Sequence, residues 1–227
     1  MNGKQMGRTT TKRISPEEYT KAFEGKEKDA LERALDTRKF EIDLYWKRAT
    51  YFWTFIGATL AGFIAVEAGT SERREMLSVV LSCLGLVFSF AWVLVNRGSK
   101  YWQENWENHV DMLEDRETGP LYKITLSRNP TMTAVQRLDH LVTGPSAFSV
   151  SKINQIVSLY VCLLWLCLVI YSLPLNFHGT FNWLYCALVV LSVAACAMFF
   201  RQGRTYKDGH WHYALIRQSR VKPLDKP

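Results

Sequence analysis

Four stretches of this sequence lack Asp, Glu, Lys and Arg entirely: residues 49–66, 76–95, 153–173 and 183–200. Each approaches the ~20 apolar residues that carry a helix across a bilayer, so the missing charge predicts four membrane spans. It also narrows the function. Ion- and proton-coupled transporters usually hold an ionisable group at mid-depth, and these spans offer none. They hold no carboxylate pair for hydrolysis either. No G-x-S-x-G elbow occurs. Gly25-Lys26 is not a P-loop, because the upstream glycine and the following Ser or Thr are missing. These absences predict no enzyme and no cofactor.

Cysteine is scarce too. Cys83, Cys162, Cys167, Cys186 and Cys196 all fall inside the apolar runs, where they read as small packing residues and imply no disulfide framework. His210 and His212 flank Trp211 without the further ligands a metal site needs, so no metal is expected. No cleavable leader is expected, because the first apolar run begins near residue 49.

What is present is an uneven distribution of positive charge. The chain has 28 Lys and Arg against 21 acids, a formal charge of +7. Only Arg73 and Arg74 lie in the short loop at 67–75, and the loop at 174–182 has no charged residue. The remaining 26 basic residues lie at 1–48, 96–152 and 201–227. By the positive-inside rule those three regions are cytoplasmic and the two short loops face the far side. The basic excess is therefore read as orientation and as attraction to anionic headgroups, with Arg201, Arg204 and Lys207 directly after a span. Nucleic acid is not an expected partner.

The expected class is all-α: two transmembrane hairpins, with both termini cytoplasmic. The parts are a disordered N-terminus (1–14), a cytoplasmic helical region (15–48), a first hairpin (49–95), a cytoplasmic central region (96–152), a second hairpin (153–200) and a basic tail (201–227). Ser15-Pro16-Glu17-Glu18 reads as a capping box with Pro at the first helical position. Gly25 is a candidate break. After Asp29 no stop signal precedes the first span, and the second span runs on to about Glu114, before Gly119-Pro120. Tyr122, Ile124 and Leu126 alternate like a short strand. Residues 133–141 suit a short helix, and Ser149 or Ser151 caps the third span.

Gly57, Ala61 and Ala65 recur at four-residue spacing on the first span and would let helices approach closely. Ser78, Ser82, Gly85 and Ser89 share a narrow face of the second span. That face reads either as a packing seam or as the wall of a water-filled pore. Trp102, Trp106, His109 and Leu113 form a stripe beyond the membrane that needs a cover: the N-terminal helix, the tail or another subunit. With Gly57, Ala61 and Ala65 it is the expected oligomer-packing surface. His109 reads as a packing residue or as a pH-responsive group.

Several segments resemble the bacterial RipA-like octameric membrane proteins. They are GSKYWQENWE at 98–107, His109-Val110-Asp111, GPLY at 119–122, SVSKIN at 149–154 and EID at 41–43. The resemblance spans about residues 40–200. It implies a bacterial inner-membrane protein that assembles as a homo-oligomer of eight subunits, in a family linked to intracellular growth and environmental adaptation. It implies no biochemical activity and no functional residue.

Three functions remain open from the sequence. They are a non-catalytic scaffold or stress and host-adaptation factor, an oligomeric pore, and a membrane effector of a signalling or defence system. The expected partners are other copies of the chain, membrane lipid including anionic headgroups, and an unknown cytoplasmic protein. The topology is open to test. A fluorescent protein fused to the C-terminus should fold and fluoresce, while alkaline phosphatase should be active only in the 67–75 and 174–182 loops. Phosphatase activity at the C-terminus would invert the topology.

Overall fold

The computed structural model describes residues 13–126, 133–174 and 182–205. The expectations for residues 1–12, His210, His212 and most of the basic tail lie outside them. Six helices are described: α1 (Pro16–Ala22), α2 (Glu27–Ala68), α3 (Arg74–Glu117), α4 (Ala134–Thr143), α5 (Val150–Ser172) and α6 (Trp183–Gln202). Four of them, α2, α3, α5 and α6, are long and apolar enough to cross a membrane. Among the described residues there is no strand.

Local chemistry sets the boundaries. Ser15 Oγ accepts from the Glu18 N–H at 3.2 Å and the Glu18 carboxylate accepts from the Ser15 N–H at 3.0 Å, closing the capping box of α1. Gly25 turns the corner into α2 at φ +76°, a conformation open to glycine at no steric cost. Thr133 and Gln136 form a second capping box at α4, and Ser149 caps α5. Where alternation suggested a strand, the chain turns instead. Gly119 adopts φ +71°, and the Tyr122 N–H donates to the Glu114 carboxylate at 2.8 Å rather than to a neighbouring strand.

At 42 and 44 residues, α2 and α3 are roughly 63 and 66 Å long, about twice the hydrocarbon thickness. They cross the expected boundaries at 48/49 and 95/96 without a break, so membrane and extramembrane parts share one antiparallel hairpin. Its turn, residues 69–73, marks the far side; α1 marks the near side.

The third helix is central: it packs against α2, α5 and α6. Beside the buried Val79, Cys83, Leu86 and Glu114, its buried positions include a line through Ser78, Ser82, Gly85, Ser89, Trp92, Asn96, Ser99, Gln103, Val110 and Leu113. Up to Gln103 they alternate in steps of four and three, and Val110 and Leu113 keep the same register. This average of 3.5 residues per turn gives a left-handed seam. On α2, Leu31, Ala34, Tyr45, Ala49, Ile56, Thr59 and Phe63 face it. Two apolar cores result. One, in the membrane, joins Ile56, Phe63, Val79, Cys83, Trp165 and Val169. The other, on the near side, joins Leu31, Ala34, Val110 and Leu113, with Tyr19 and Phe23 of the α1 segment packed on it.

Gly85 is the tightest point of the membrane core. A Cβ at this position would collide with the Trp165 indole, which is fully buried. Gly62, by contrast, has only the Leu81 methyls at 3.7 Å. Gly85→Ala should therefore lower thermal stability in detergent, by about 1–3 kcal/mol for an overpacked core. Gly62→Ala should be neutral or stabilising, and Trp165→Leu should recover part of the Gly85→Ala loss. A Gly85→Ala protein as stable as the parent would refute this packing.

Candidate functional site

The seam of α3 carries the polar groups of the bundle, arranged in levels from far side to near side. At the far end, the Glu67 carboxylate accepts from Ser78 Oγ at 2.6 Å and from the Arg74 guanidinium at 2.6 Å. Glu67 closes α2 and Arg74 opens α3, so this clasp ties the two ends of the hairpin turn. A cavity of about 550 Å³ opens beside it, lined by Glu67, Arg74, Glu75, Ser78, Tyr171 and Leu173. The carboxylate there is already committed to two donors and stands as an anchor rather than a free base.

In the membrane, Ser82 donates to the Val79 carbonyl and Ser89 to the Leu86 carbonyl, each at 3.1 Å. These hydroxyls are fully buried and satisfied by their own helix. With Gly85 under Trp165, the Ser78/Ser82/Gly85/Ser89 face is filled inside one protomer. Of the two sequence readings of this face, that is the packing-seam arrangement. A water-filled wall of the same hydroxyls would require α5 to withdraw.

At the near-side membrane edge the seam becomes amide-rich. Asn154 of α5 donates through Nδ2 to Tyr45 Oη of α2 and, at 3.3 Å, to Asn96 Oδ1 of α3. One turn further on, Arg48 donates to Ser99 Oγ at 3.0 Å and lies 3.7 Å from Glu41. Asn96 is 1% exposed, and its Nδ2 has no partner among the described residues; nor has the Trp92 indole N–H. The node joins three helices through neutral donors and acceptors. Their effect is on register. Each interhelical bond in a membrane is worth about 0.6 kcal/mol. Asn96, Ser99, Gln103 and Asn154 did not stand out as a set in the sequence. The heptad spacing continued from Ser78 would have found the three on α3.

Beyond the membrane the structure corrects the expected stripe. The buried line runs through Gln103, Val110 and Leu113, with Trp106 packed on the core, while Trp102 and His109 flank it half-buried. Leu113 and Trp106 are covered by α2 of the same chain and His109 by the α1 segment, so of the three covers open from the sequence the N-terminal helical region is the one seen in the protomer. His109 Nδ1 lies 2.7 Å from Tyr19 Oη, with the Trp106, Tyr19 and Phe23 rings around it at 5.4, 5.7 and 6.3 Å. Gly57, Ala61 and Ala65 lie on the opposite, exposed face of α2, where a Cβ on Gly57 would touch nothing. Among the described residues no group of His, Cys, Asp and Glu is placed to hold a metal ion.

This layout belongs to a multi-pass helical membrane protein with a long, membrane-piercing hairpin. The model of the octameric membrane protein family (8xMP) matches residues 28–174, well over half of the chain. The chain belongs to this family. No curated protein and no solved structure matches it. The family region runs from the first turn of α2 to the end of α5. It therefore includes the clasp, the seam and the node, and leaves α1 and α6 outside. The family's name supports assembly with other copies of the chain.

Burial holds the His109 imidazole below its usual range, because desolvation disfavours the cation. Burial likewise pushes the Tyr19 phenol up, so phenol and imidazole meet as two neutral groups sharing one hydrogen bond. The docked state thus binds protons less readily than the free one. Docking of α1 is fully stabilised above the unperturbed pKa near 6.5 and weakens as pH falls below it. Hydrogen exchange of residues 16–24, corrected for intrinsic rates, should rise between pH 7.5 and 5.5. His109→Gln, which keeps an acceptor for Tyr19, should remove that rise; a pH response that persists would assign it elsewhere.

Proposed function

We propose that this chain is a non-catalytic subunit of an octameric scaffold in the bacterial inner membrane, with its termini and long helical stalk in the cytoplasm. The carrying observation is the sealed α3 seam. Its span-embedded hydroxyls are spent within the protomer, Ser78 on Glu67 and Ser82 and Ser89 on carbonyls of their own helix, and Trp165 fills the space over Gly85. The charge distribution supports the cytoplasmic placement of the stalk. The family name supports the subunit number.

The Gly57/Ala61/Ala65 face is the proposed contact between neighbouring spans. It is exposed in the protomer, nearly flat, and free of charge. Small residues of this kind let a second helix approach to backbone distance, where dispersion and weak hydrogen bonds act over many atoms. The stalk offers a second level at which the subunits can meet an unidentified cytoplasmic protein. Arg201 in the last turn of α6 and Arg204 just after it are proposed to rest on anionic headgroups. The pore alternative loses its candidate wall in the α3 hydroxyls. It would need a channel at the axis of the ring, lined by faces that are exposed in the single protomer.

Native mass in lipid nanodiscs, corrected for bound lipid, should show a single species of eight subunits. Gly57→Leu combined with Ala61→Leu should shift it toward smaller species while leaving helix content unchanged. Proteoliposomes holding the intact oligomer should show no ion flux above protein-free controls. Steady single-channel conductance would overturn the scaffold reading. A stable monomer in several mild conditions would overturn the assembly.

A further inference from the structure

Among the described residues, α4 is an amphipathic helix that the bundle leaves bare. Its apolar residues Val135, Leu138, Leu141 and Val142 are 66–81% exposed, and none of its residues is buried. At 100° per residue these four, with Ala134, fall in an arc about 120° wide. Gln136, Arg137, Asp139, His140 and Thr143 occupy the rest of the circumference. Among the described residues α4 packs against no other helix.

A ten-residue helix is marginal in water on its own, since about 12–15 residues are needed even for strong helix formers. The capping box at Thr133 and Gln136 helps, but the apolar face needs a surface. The chain shows which surface is within reach. Only residues 144–149 separate α4 from α5, a tether of at most ~20 Å when extended. Phe148 on that tether and Val150 at the first turn of α5 are also exposed, and Ile153 and Ile156 continue the apolar surface into the span. Side chains bare in the protomer therefore run unbroken from α4 into the part of α5 that enters the bilayer.

We infer that α4 lies flat in the membrane–water boundary at the leaflet α5 enters, with Val135, Leu138, Leu141 and Val142 among the acyl chains. The tether keeps the helix at high local concentration near the lipid, so a short apolar face suffices. Arg137 and Asp139 border the apolar arc on its two sides, at the level where a charged head can stay in water while its stem is covered. The helix would then fix the height of the α3–α5 connection against the bilayer. This goes beyond the scaffold reading and does not depend on it.

The test uses the full chain in liposomes, with the five native cysteines replaced by alanine and the native mass confirmed unchanged. Nitroxide labels at Leu138→Cys, Val142→Cys, Gln136→Cys and Thr143→Cys are read by power saturation against oxygen and a water-soluble nickel chelate. Labels at 138 and 142 should collide often with oxygen and rarely with nickel, and those at 136 and 143 the reverse. Low collision with both reagents at 138 would mean that a neighbouring chain covers the face, and would overturn the inference. High nickel collision there would leave the face in water and overturn it too. Leu138→Glu plus Val142→Glu, in otherwise native protein, should raise hydrogen exchange of residues 134–143 at least several-fold in nanodiscs. Unchanged exchange would count against lipid contact.

Discussion

Inside a bilayer there is no water to receive a hydroxyl or an amide, so each polar group there must be satisfied by protein. That constraint explains the composition of α3 better than hydrophobicity does. Its seam carries Ser78, Ser82, Gly85 and Ser89 in the membrane beside Trp92, Asn96, Ser99 and Gln103 at and just beyond the edge, and Val110 and Leu113 further out. Small hydroxyls satisfy themselves on their own helix and let α5 come close enough for Trp165 to lie over Gly85. The larger amides sit where the membrane ends, and there they reach across to α2 and α5. The polarity of the seam thus follows depth, and one helix with a constant 3.5-residue period serves three environments.

Register along so long a hairpin is fixed at its ends. A seam of small residues is nearly uniform, and a helix pair built from it alone would slide at little cost. The Glu67 clasp pins the far end, because a slip of one turn would separate its carboxylate from Ser78 and Arg74 together. The Tyr45/Asn96/Asn154 node pins the near end of the membrane section and brings α5 into the same register. Beyond it, α1 folds back so that Tyr19 meets His109, which couples the stalk to the N-terminal segment. The first two anchors lie within the family's matched region and the third outside it. The matched region thus holds the two anchors of the α2–α3–α5 bundle, and α1 adds a third contact at the end of the stalk.

The spans, the caps and the unbroken passage of α2 and α3 out of the membrane were legible because each depends on local chemistry. A missing charge, a Ser-x-x-Glu pair or a glycine break carries its meaning in a few residues. The outer stripe was misread because periodicity was traced through the largest apolar side chains. Trp102 and His109 drew that line one position away from the buried path through Gln103 and Val110. The buried path is marked by modest residues whose burial depends on what faces them, and Leu31 and Ala34 lie some 80 residues away in sequence. The node was hidden for the same reason. Asn96 in the middle of α3 and Asn154 near the start of α5 gain their meaning only when the two helices are placed side by side.

The surfaces left bare in the protomer bear on how copies can meet. α6 buries little beyond Ser192, and Val190, Leu191 and Val193 point away from the bundle. The outer faces of α2 and α5 differ in kind. On α5 they are large and aliphatic, suited to fluid lipid, whereas the Gly57/Ala61/Ala65 strip of α2 has almost nothing for lipid chains to grip. A lipid against that strip gains little dispersion energy, while a helix lying in it gains contacts along its length. In a ring each subunit needs two unlike contact faces, and one small-residue groove meeting one bulky ridge satisfies that requirement. The proposed α2 contact has the form of such a groove, exposed and free of large side chains. The seam that holds the protomer together is by then already used, so assembly draws on surfaces separate from those that fold the subunit.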